Sequence, residues 1–265
     1  MIQIAVLGCG WLGLPLAKSL VQKQYLVNGS TTSVDKMAVL KNEQINPFLI
    51  RIDENRIDGA MDIFLQNATV LIIDIPPKLR ANQTENFVAK IKNVVVFIEK
   101  AKIKNVIFVS STSVFADDNL VVTEHTVPQP SSESGKQLLE AEHTLRSNTN
   151  FETTIVRFGG LIGADRHPIN MLSGKTNVAN PNAPVNLIHQ NDCIAIIEKI
   201  ISTSAYGKIF NAVAPCILTR QKYYFQKAQQ FNLSPPLFDA SKPSVGKQVL
   251  SDYLCAELNF SFQNV

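Results

Sequence analysis

The sequence predicts a doubly wound α/β protein, a parallel sheet of the Rossmann type with a small C-terminal α/β lobe for substrate. Three observations carry the prediction. Short apolar runs alternate with longer stretches of helical periodicity through the first half of the chain. Several runs are uninterrupted, as Val70-Leu71-Ile72-Ile73 is, which marks strands buried on both faces. A glycine-rich turn, Gly8-Cys9-Gly10-Trp11-Leu12-Gly13, stands between the first run and the first helix.

In order, the expected strands are residues 2–7, 25–29, 47–52, 70–75, 105–110 and 153–158, with helices at 12–22, 33–40, 82–100 and 134–147. Elements of this length in strict alternation imply right-handed βαβ units. After residue 163 the rhythm breaks, and residues 165–184 hold three prolines among Asn, Ser and Gly, the composition of a loop-rich insertion. The α/β pattern resumes with a strand at 184–188, a helix at 192–202 and a strand at 208–213. A helix at 219–231, a turn at Pro235-Pro236 and a helix at 251–258 follow. Residues 1–163, rejoined by 186–213, are therefore the Rossmann domain; 164–185 and 214–265 form the small lobe, over the sheet edge where open α/β folds bind ligands.

Composition narrows the function classes. Of 265 residues 45% are hydrophobic and 18% charged, enough apolar surface to offset ordering entropy, so a disordered chain is excluded. A net charge of +3 without blocks of like charge argues against nucleic acid or an anionic membrane as partner. The four cysteines, Cys9, Cys193, Cys216 and Cys255, lack metal-ligand spacing and read as free thiols in a reducing compartment. The uncharged stretch 4–17 lacks a basic leader and is broken by glycines, so it reads as neither signal peptide nor membrane span. A cytoplasmic protein acting on a small molecule is expected, with no metal.

The glycine turn fits G-x-G-x-x-G, and each glycine has a task where a strand passes into a helix. Gly8 permits the tight turn, Gly10 lets backbone approach a pyrophosphate, and Gly13 allows close helix–strand packing. With Trp11 and Leu12 they form the expected phosphate-binding set, because a helix N-terminus offers free N–H groups and partial positive charge.

The end of the second strand selects the cofactor. An acid there would bind a ribose 2′-hydroxyl, but the segment reads Asn28-Gly29-Ser30-Thr31-Thr32-Ser33. The hydroxyls of Ser30, Thr31 and Thr32, with Lys36 nearby, suit a 2′-phosphate, so NADP is favoured over NAD; Ser33 is also a candidate helix cap. Ile75 and Pro76, closing the fourth strand, are expected to wall the adenosine–ribose path, with Pro76-Pro77 fixing the backbone there.

Three further segments complete an ordered set. Val109-Ser110-Ser111-Thr112-Ser113-Val114-Phe115, Arg157-Phe158-Gly159-Gly160-Leu161-Ile162-Gly163 and Asn186-Leu187-Ile188-His189-Gln190-Asn191-Asp192 follow the glycine turn in this order. Together they resemble the extended short-chain dehydrogenase/reductases, in the NAD-dependent epimerase/dehydratase branch, and within it the atypical nucleoside-diphosphate-sugar epimerase-like group. The resemblance spans nearly the whole chain. It implies a Ser or Thr that orients a substrate oxygen, a Tyr that passes a proton, and a Lys that lowers the phenol's pKa and binds the nicotinamide ribose. Ser111 matches the Ser position, with Thr112 and Ser113 as alternatives; Lys136 matches the Lys, and Ser110 joins it among the cofactor-binding residues.

The tyrosine is missing. Four residues before Lys136 stands Ser132, and none of Tyr25, Tyr206, Tyr223, Tyr224 or Tyr253 is near it in sequence. Either another group carries the proton (Glu124, His125, Glu133, Tyr223 or Tyr224), or the protein binds a dinucleotide without turnover, or Lys136 is a solvated helix residue. An oxidoreductase or epimerase acting on a hydroxyl-bearing small molecule, with a nucleotide sugar as one candidate, is the leading reading. A catalytically silent dinucleotide sensor is the main rival, and an S-adenosylmethionine methyltransferase a third that the Ser111–Lys136 pair disfavours.

Several residues read as structural. Asp192 is expected to cap its helix, His189 to sit at a strand end, and Arg157 to anchor a buried carboxylate or backbone oxygen. Trp11 reads equally as cofactor cover or core residue, and Arg166, Asn170 and Lys175 as insertion residues facing either a phosphate or solvent. The helix from residue 82 carries more apolar residues than one core stripe needs, and the resemblance implies that a homodimer would form through it and the Lys136 helix, although the latter is the more polar here.

Overall fold

The computed structural model describes residues 2–77 and 85–263. In chain order the elements are β1 (Gln3–Leu7), α1 (Gly13–Gln22), β2 (Leu26–Thr31), α2 (Asp35–Asn42), β3 (Asn46–Leu49), β4 (Arg51–Ile52), β5 (Ile57–Asp58), α3 (Met61–Leu65) and β6 (Val70–Ile73). Then come α4 (Phe87–Ala101), β7 (Asn105–Ser111), β8 (Val121–Val122), α5 (Glu133–Arg146), β9 (Glu152–Phe158), β10 (Gly160–Ile162) and α6 (Ile169–Leu172). The chain closes with β11 (Leu187–His189), α7 (Gln190–Thr203), β12 (Ile209–Ala212), α8 (Arg220–Gln230), β13 (Gln248–Val249) and α9 (Asp252–Leu258).

Seven strands form a parallel sheet in the order β12-β9-β7-β6-β1-β2-β3. From β1 the chain builds one way to β3 and then restarts at β6, so the topological switch point lies between β1 and β6, where open sheets place ligands. Every residue of β6 is buried, as its uninterrupted apolar run requires of a central strand covered on both faces. One face packs under α1 and α7 through Leu16, Leu20, Ile196 and Ile200, the other under α4 and α5 through Ile91, Val94, Leu138 and Ala141.

Helix ends follow local chemistry. Asn86 caps α4 by accepting from the Ala89 amide at 2.9 Å, and the helix stops at Lys102, whose backbone turns left-handed at φ 56°. The helix expected over 82–100 thus begins at Phe87, and its first expected residues, 82–84, lie outside the described ones. Ser33 does not cap the second helix, which starts at Asp35 with no side-chain cap; Ser33 instead donates its amide to Thr31 Oγ1 at 3.2 Å. The strand expected over 47–52 breaks in two at Ile50.

A separate, smaller core gathers Ile169, Val185, Tyr223, Tyr224 and Ala228, drawn from α6, α8 and the segment before β11. Within the tail at 214–265, α9 packs elsewhere. Leu254 and Leu258 are buried in the large core with Ile197 and Phe210, and Phe260 and Phe262 pack against it. Val249 joins the opposite core, because β13 pairs with β8 beyond the end of β7. Among the described residues no helix is long and apolar enough to cross a membrane.

Candidate functional site

The glycine turn is held from the end of β2. Ser30 accepts the Gly8 amide on its hydroxyl and the Cys9 amide on its carbonyl, each at 2.8 Å. Gly8 has φ 106°, and a Cβ there would lie 2.3 Å from the Asp74 carbonyl oxygen, so glycine is required twice over. A Cβ on Gly13 would lie 2.1 Å from the Gly8 oxygen, which is the close helix–strand packing expected of it. Around Gly10 there is open space, with no heavy atom within 4 Å of a notional Cβ.

Helix α1 starts behind this turn without a side-chain cap, because Leu12 occupies the cap position and its side chain is buried in the core. The Gly13 amide is directed at the Asp74 carboxyl. Among the described residues no protein acceptor meets the amides of Trp11 and Leu12. Uncapped N–H groups at a helix start, beneath open space, suit an anion such as a diphosphate.

Beside the turn, at the switch point, lies a cleft of about 200 Å³. Of the residues expected to bind cofactor, Gly8, Gly10, Ser30, Thr31, Thr32, Lys36, Ile75 and Pro76 line it together, with Ile52 and Phe87 adding apolar wall. Trp11, Leu12, Gly13, Ser110 and Lys136 do not. Two cations reach the cleft, Lys36 and Lys90, the latter held by Glu85 at 2.6 Å. Thr31 is buried and its hydroxyl accepts from Ser33, whereas Thr32 and Lys36 are exposed.

Asp74, missed in the sequence, lines the inner wall of this cleft. Burial pushes its carboxyl up to about 8, partly offset by the Gly13 amide. Burial and then the Asp74 charge push the Cys9 thiol up to about 12, which makes it inert. The available signal was an acid closing the central apolar strand directly opposite the glycine turn.

At the end of β7 a turn of 3₁₀ helix, Thr112–Val114, carries the hydroxyl cluster. Ser111 accepts the Ser113 amide at 3.1 Å and is half-buried; Thr112 is buried. Ser110 lies beneath, its hydroxyl donating to Glu142 at 2.6 Å. That carboxylate also grips Arg157 through Nε and Nη2, all three residues being buried, so Arg157 anchors a carboxylate as expected. The first turn of α5 rests on the hydroxyl turn, since a Cβ on Gly135 would lie 2.2 Å from the Ser113 oxygen. Lys136 follows on that turn and is exposed.

Ser132, where the resemblance calls for tyrosine, caps α5 by accepting the Gly135 amide at 3.1 Å. The tyrosines pack elsewhere. Tyr223 and Tyr224 are buried in the smaller core, the Tyr223 hydroxyl 3.1 Å from His167 Nε2, and burial pushes the Tyr223 phenol well above its usual range. Tyr25 and Tyr206 pack on the large core, and Tyr253 stacks on Phe210. Glu124 is spent on the Asn211 amide at 2.8 Å, Glu133 accepts from Gln137 at 3.0 Å, and His125 is exposed.

His189, not Asp192, caps α7: its Nδ1 accepts the Asn191 amide at 3.2 Å. Asp192 lies within the first turn, buried, and accepts the Gln263 amide at 3.2 Å, because the C-terminal segment folds back over it. Trp11 does not line the cleft; it donates its indole N–H to Asp165, after β10, at 2.8 Å. Among the described residues no group of three or more His, Cys, Asp or Glu is arranged to hold a metal ion.

No protein-family model matches the chain. It is 33% identical over 265 residues to Protein YeeZ of Escherichia coli strain K12, covering 99% of this chain and 96% of that protein. Among solved structures, the UDP-glucuronic acid 4-epimerase from Bacillus cereus in complex with NAD superposes with a TM-score of 0.81 at 17% identity, covering 100% of this chain and 94% of that one. A putative NAD-dependent epimerase/dehydratase from Methylobacillus flagellatus gives 0.79 at 23% identity, covering 98% and 93%. The chain therefore belongs to the same family as Protein YeeZ, on the fold of the extended short-chain dehydrogenases/reductases.

Proposed function

We propose that this protein is a cytoplasmic NADP- or NAD-dependent oxidoreductase or epimerase acting on a hydroxyl-bearing small molecule of the nucleotide-sugar class. The observation that carries the reading is the switch-point cleft, where Gly10 leaves open space beside the uncapped start of α1. The fold neighbours named above add support, one of them an epimerase of a UDP-sugar in complex with NAD. Four free cysteines fit a reducing compartment.

The residues present fit a dinucleotide. Trp11 and Leu12 amides would hold the diphosphate, Ile75 and Pro76 the adenosine side, and Thr32 and Lys36 a 2′-phosphate, which favours NADP. Bound there, the nicotinamide supplies hydride exchange. Ser111, with Thr112 behind it, orients the substrate oxygen by hydrogen bonds, and the Lys136 ammonium holds negative charge near that oxygen and the adjacent ribose. Ser110 acts on neither, positioning the turn through Glu142. A small lobe from 164–185 and the segment after 214 would close over the substrate, and α4, on which Val96 is exposed, admits a homodimer with α5.

The cap at Ser132 favours a second reading, a dinucleotide-binding protein without turnover, since an aliphatic hydroxyl that caps a helix is a poor proton donor. One experiment separates the two. NADPH, NADH and S-adenosylmethionine are titrated into the protein, and hydride transfer is then screened over a carbonyl and nucleotide-sugar panel beside Lys136→Ala. Turnover lost in the variant supports the enzyme. Cofactor binding without turnover in wild type supports the sensor, and binding of S-adenosylmethionine alone rejects both.

A further inference from the structure

We infer that Arg166 supplies the cation for the diphosphate at the glycine turn, with Trp11 as the platform that aims it. The inference rests on the dinucleotide reading above. The turn itself, Gly8 to Gly13, holds no basic residue, and the two cleft cations, Lys36 and Lys90, stand beside the β2 end and on α4. An anion over the amides of Trp11 and Leu12 would therefore be met by backbone dipoles alone unless another element brings a charge.

The element that does so is the segment after β10. Its Arg166 guanidinium lies over the Trp11 ring, 5.0 Å from the centroid. Trp11 beneath is fixed at three points. Its indole N–H donates to Asp165 at 2.8 Å, its backbone carbonyl accepts from Gln190 Nε2 at 2.6 Å, and its six-membered ring lies against Gly163, where a Cβ would come within 2.8 Å. A two-way backbone bond between Gly163 and Arg166, at 2.8 and 3.2 Å, closes the loop that carries the arginine. A guanidinium stacked on an indole keeps its edge donors free for a planar anion.

Asp165, the acid beside Arg166, is committed to the indole, and among the described residues no carboxylate lies within ion-pair distance of Arg166. The loop thus presents an exposed cation, without an ion-pair partner among the described residues, over the ring of the residue whose amide meets no protein acceptor. The same contact ties the glycine turn to the chain entering the small lobe at His167. A diphosphate from the substrate offers the same chemistry, and the test separates the two sources.

Binding of ADP-ribose, adenosine 2′-monophosphate and UDP-glucose is measured by calorimetry for wild type, Arg166→Ala and Arg166→Lys. The expected result is about a tenfold loss of ADP-ribose affinity in Arg166→Ala, as for one charge-assisted contact, with adenosine 2′-monophosphate unchanged. Arg166→Lys should recover most of the loss, which a purely structural stack would not allow. Wild-type binding that Arg166→Ala leaves intact, equal loss of both adenosine probes, or loss confined to UDP-glucose would overturn the inference. Failure of wild type to bind either adenosine probe would overturn the dinucleotide reading itself, and the inference with it.

Discussion

Glu142 and Arg157 form a buried, two-point ion pair beneath the hydroxyl turn, with Arg157 Nη2 2.6 Å from Glu142 Oε2 and Nε 3.0 Å from Oε1. The Phe115 ring covers the guanidinium at 5.0 Å, and Ser110 completes the carboxylate's shell. Removing one partner leaves a buried charge uncompensated. Glu142→Ala should therefore cost roughly 3–5 kcal/mol in urea unfolding, whereas Glu142→Leu with Arg157→Met should cost much less. A loss under about 1 kcal/mol in the single variant would show that the pair is solvated.

The three glycines of the turn should separate folding from binding. Gly13→Ala drives a methyl into the Gly8 carbonyl and should lower the melting temperature and abolish dinucleotide binding together. Gly10→Ala meets no protein atom, so the melting temperature should hold while NADP affinity falls about tenfold or more. Thermal melts paired with calorimetry check both; a Gly10→Ala protein that binds as wild type would remove the diphosphate from this turn.

Asp74 gives a pH signature. Its carboxyl keeps a proton up to about 8 when folded, against 3.8 for the ordinary group. Between those values the folded state binds more protons than the unfolded chain, so stability falls as pH rises from about 4 to about 8 and levels off above. Asp74→Asn should flatten that slope and gain on wild type by about 1 kcal/mol near pH 4.5, rising to roughly 5 kcal/mol near pH 8. Urea unfolding across this range checks it; parallel slopes would mean that Asp74 is ionised throughout.

Cofactor choice should rest on Lys36. Lys36→Ala is expected to weaken NADP about tenfold and leave NAD unchanged, since only the former carries the 2′-phosphate. Competitive titration of the two cofactors reads the split, and equal weakening would place Lys36 elsewhere in the cleft.

Much of this was legible because local chemistry and backbone sterics act within a few residues. Gly8 and Gly13 were assigned tasks that the turn geometry then required, and β6 was readable from four apolar residues in a row. Ser30, Thr31, Thr32 and Lys36 converge on the cleft because the end of β2 adjoins the turn. What escaped depends on distant partners. Trp11 meets Asp165 from 154 residues away, and no periodicity announces that contact. Asp192 resembles a helix cap in sequence, yet His189 takes the role and the C-terminal segment buries the acid. The short helix Met61–Leu65 was missed because five residues are too few to show a helical period.

The central claim is that the uncapped start of α1 holds a dinucleotide's diphosphate, and a crystal structure of the protein grown with NADP tests it most directly. The bridge should lie within hydrogen-bond reach of the Trp11 and Leu12 amides, with the adenosine between Thr32 and Pro76. Saturating NADP that leaves this turn bare, or lies with its phosphates elsewhere, would contradict it.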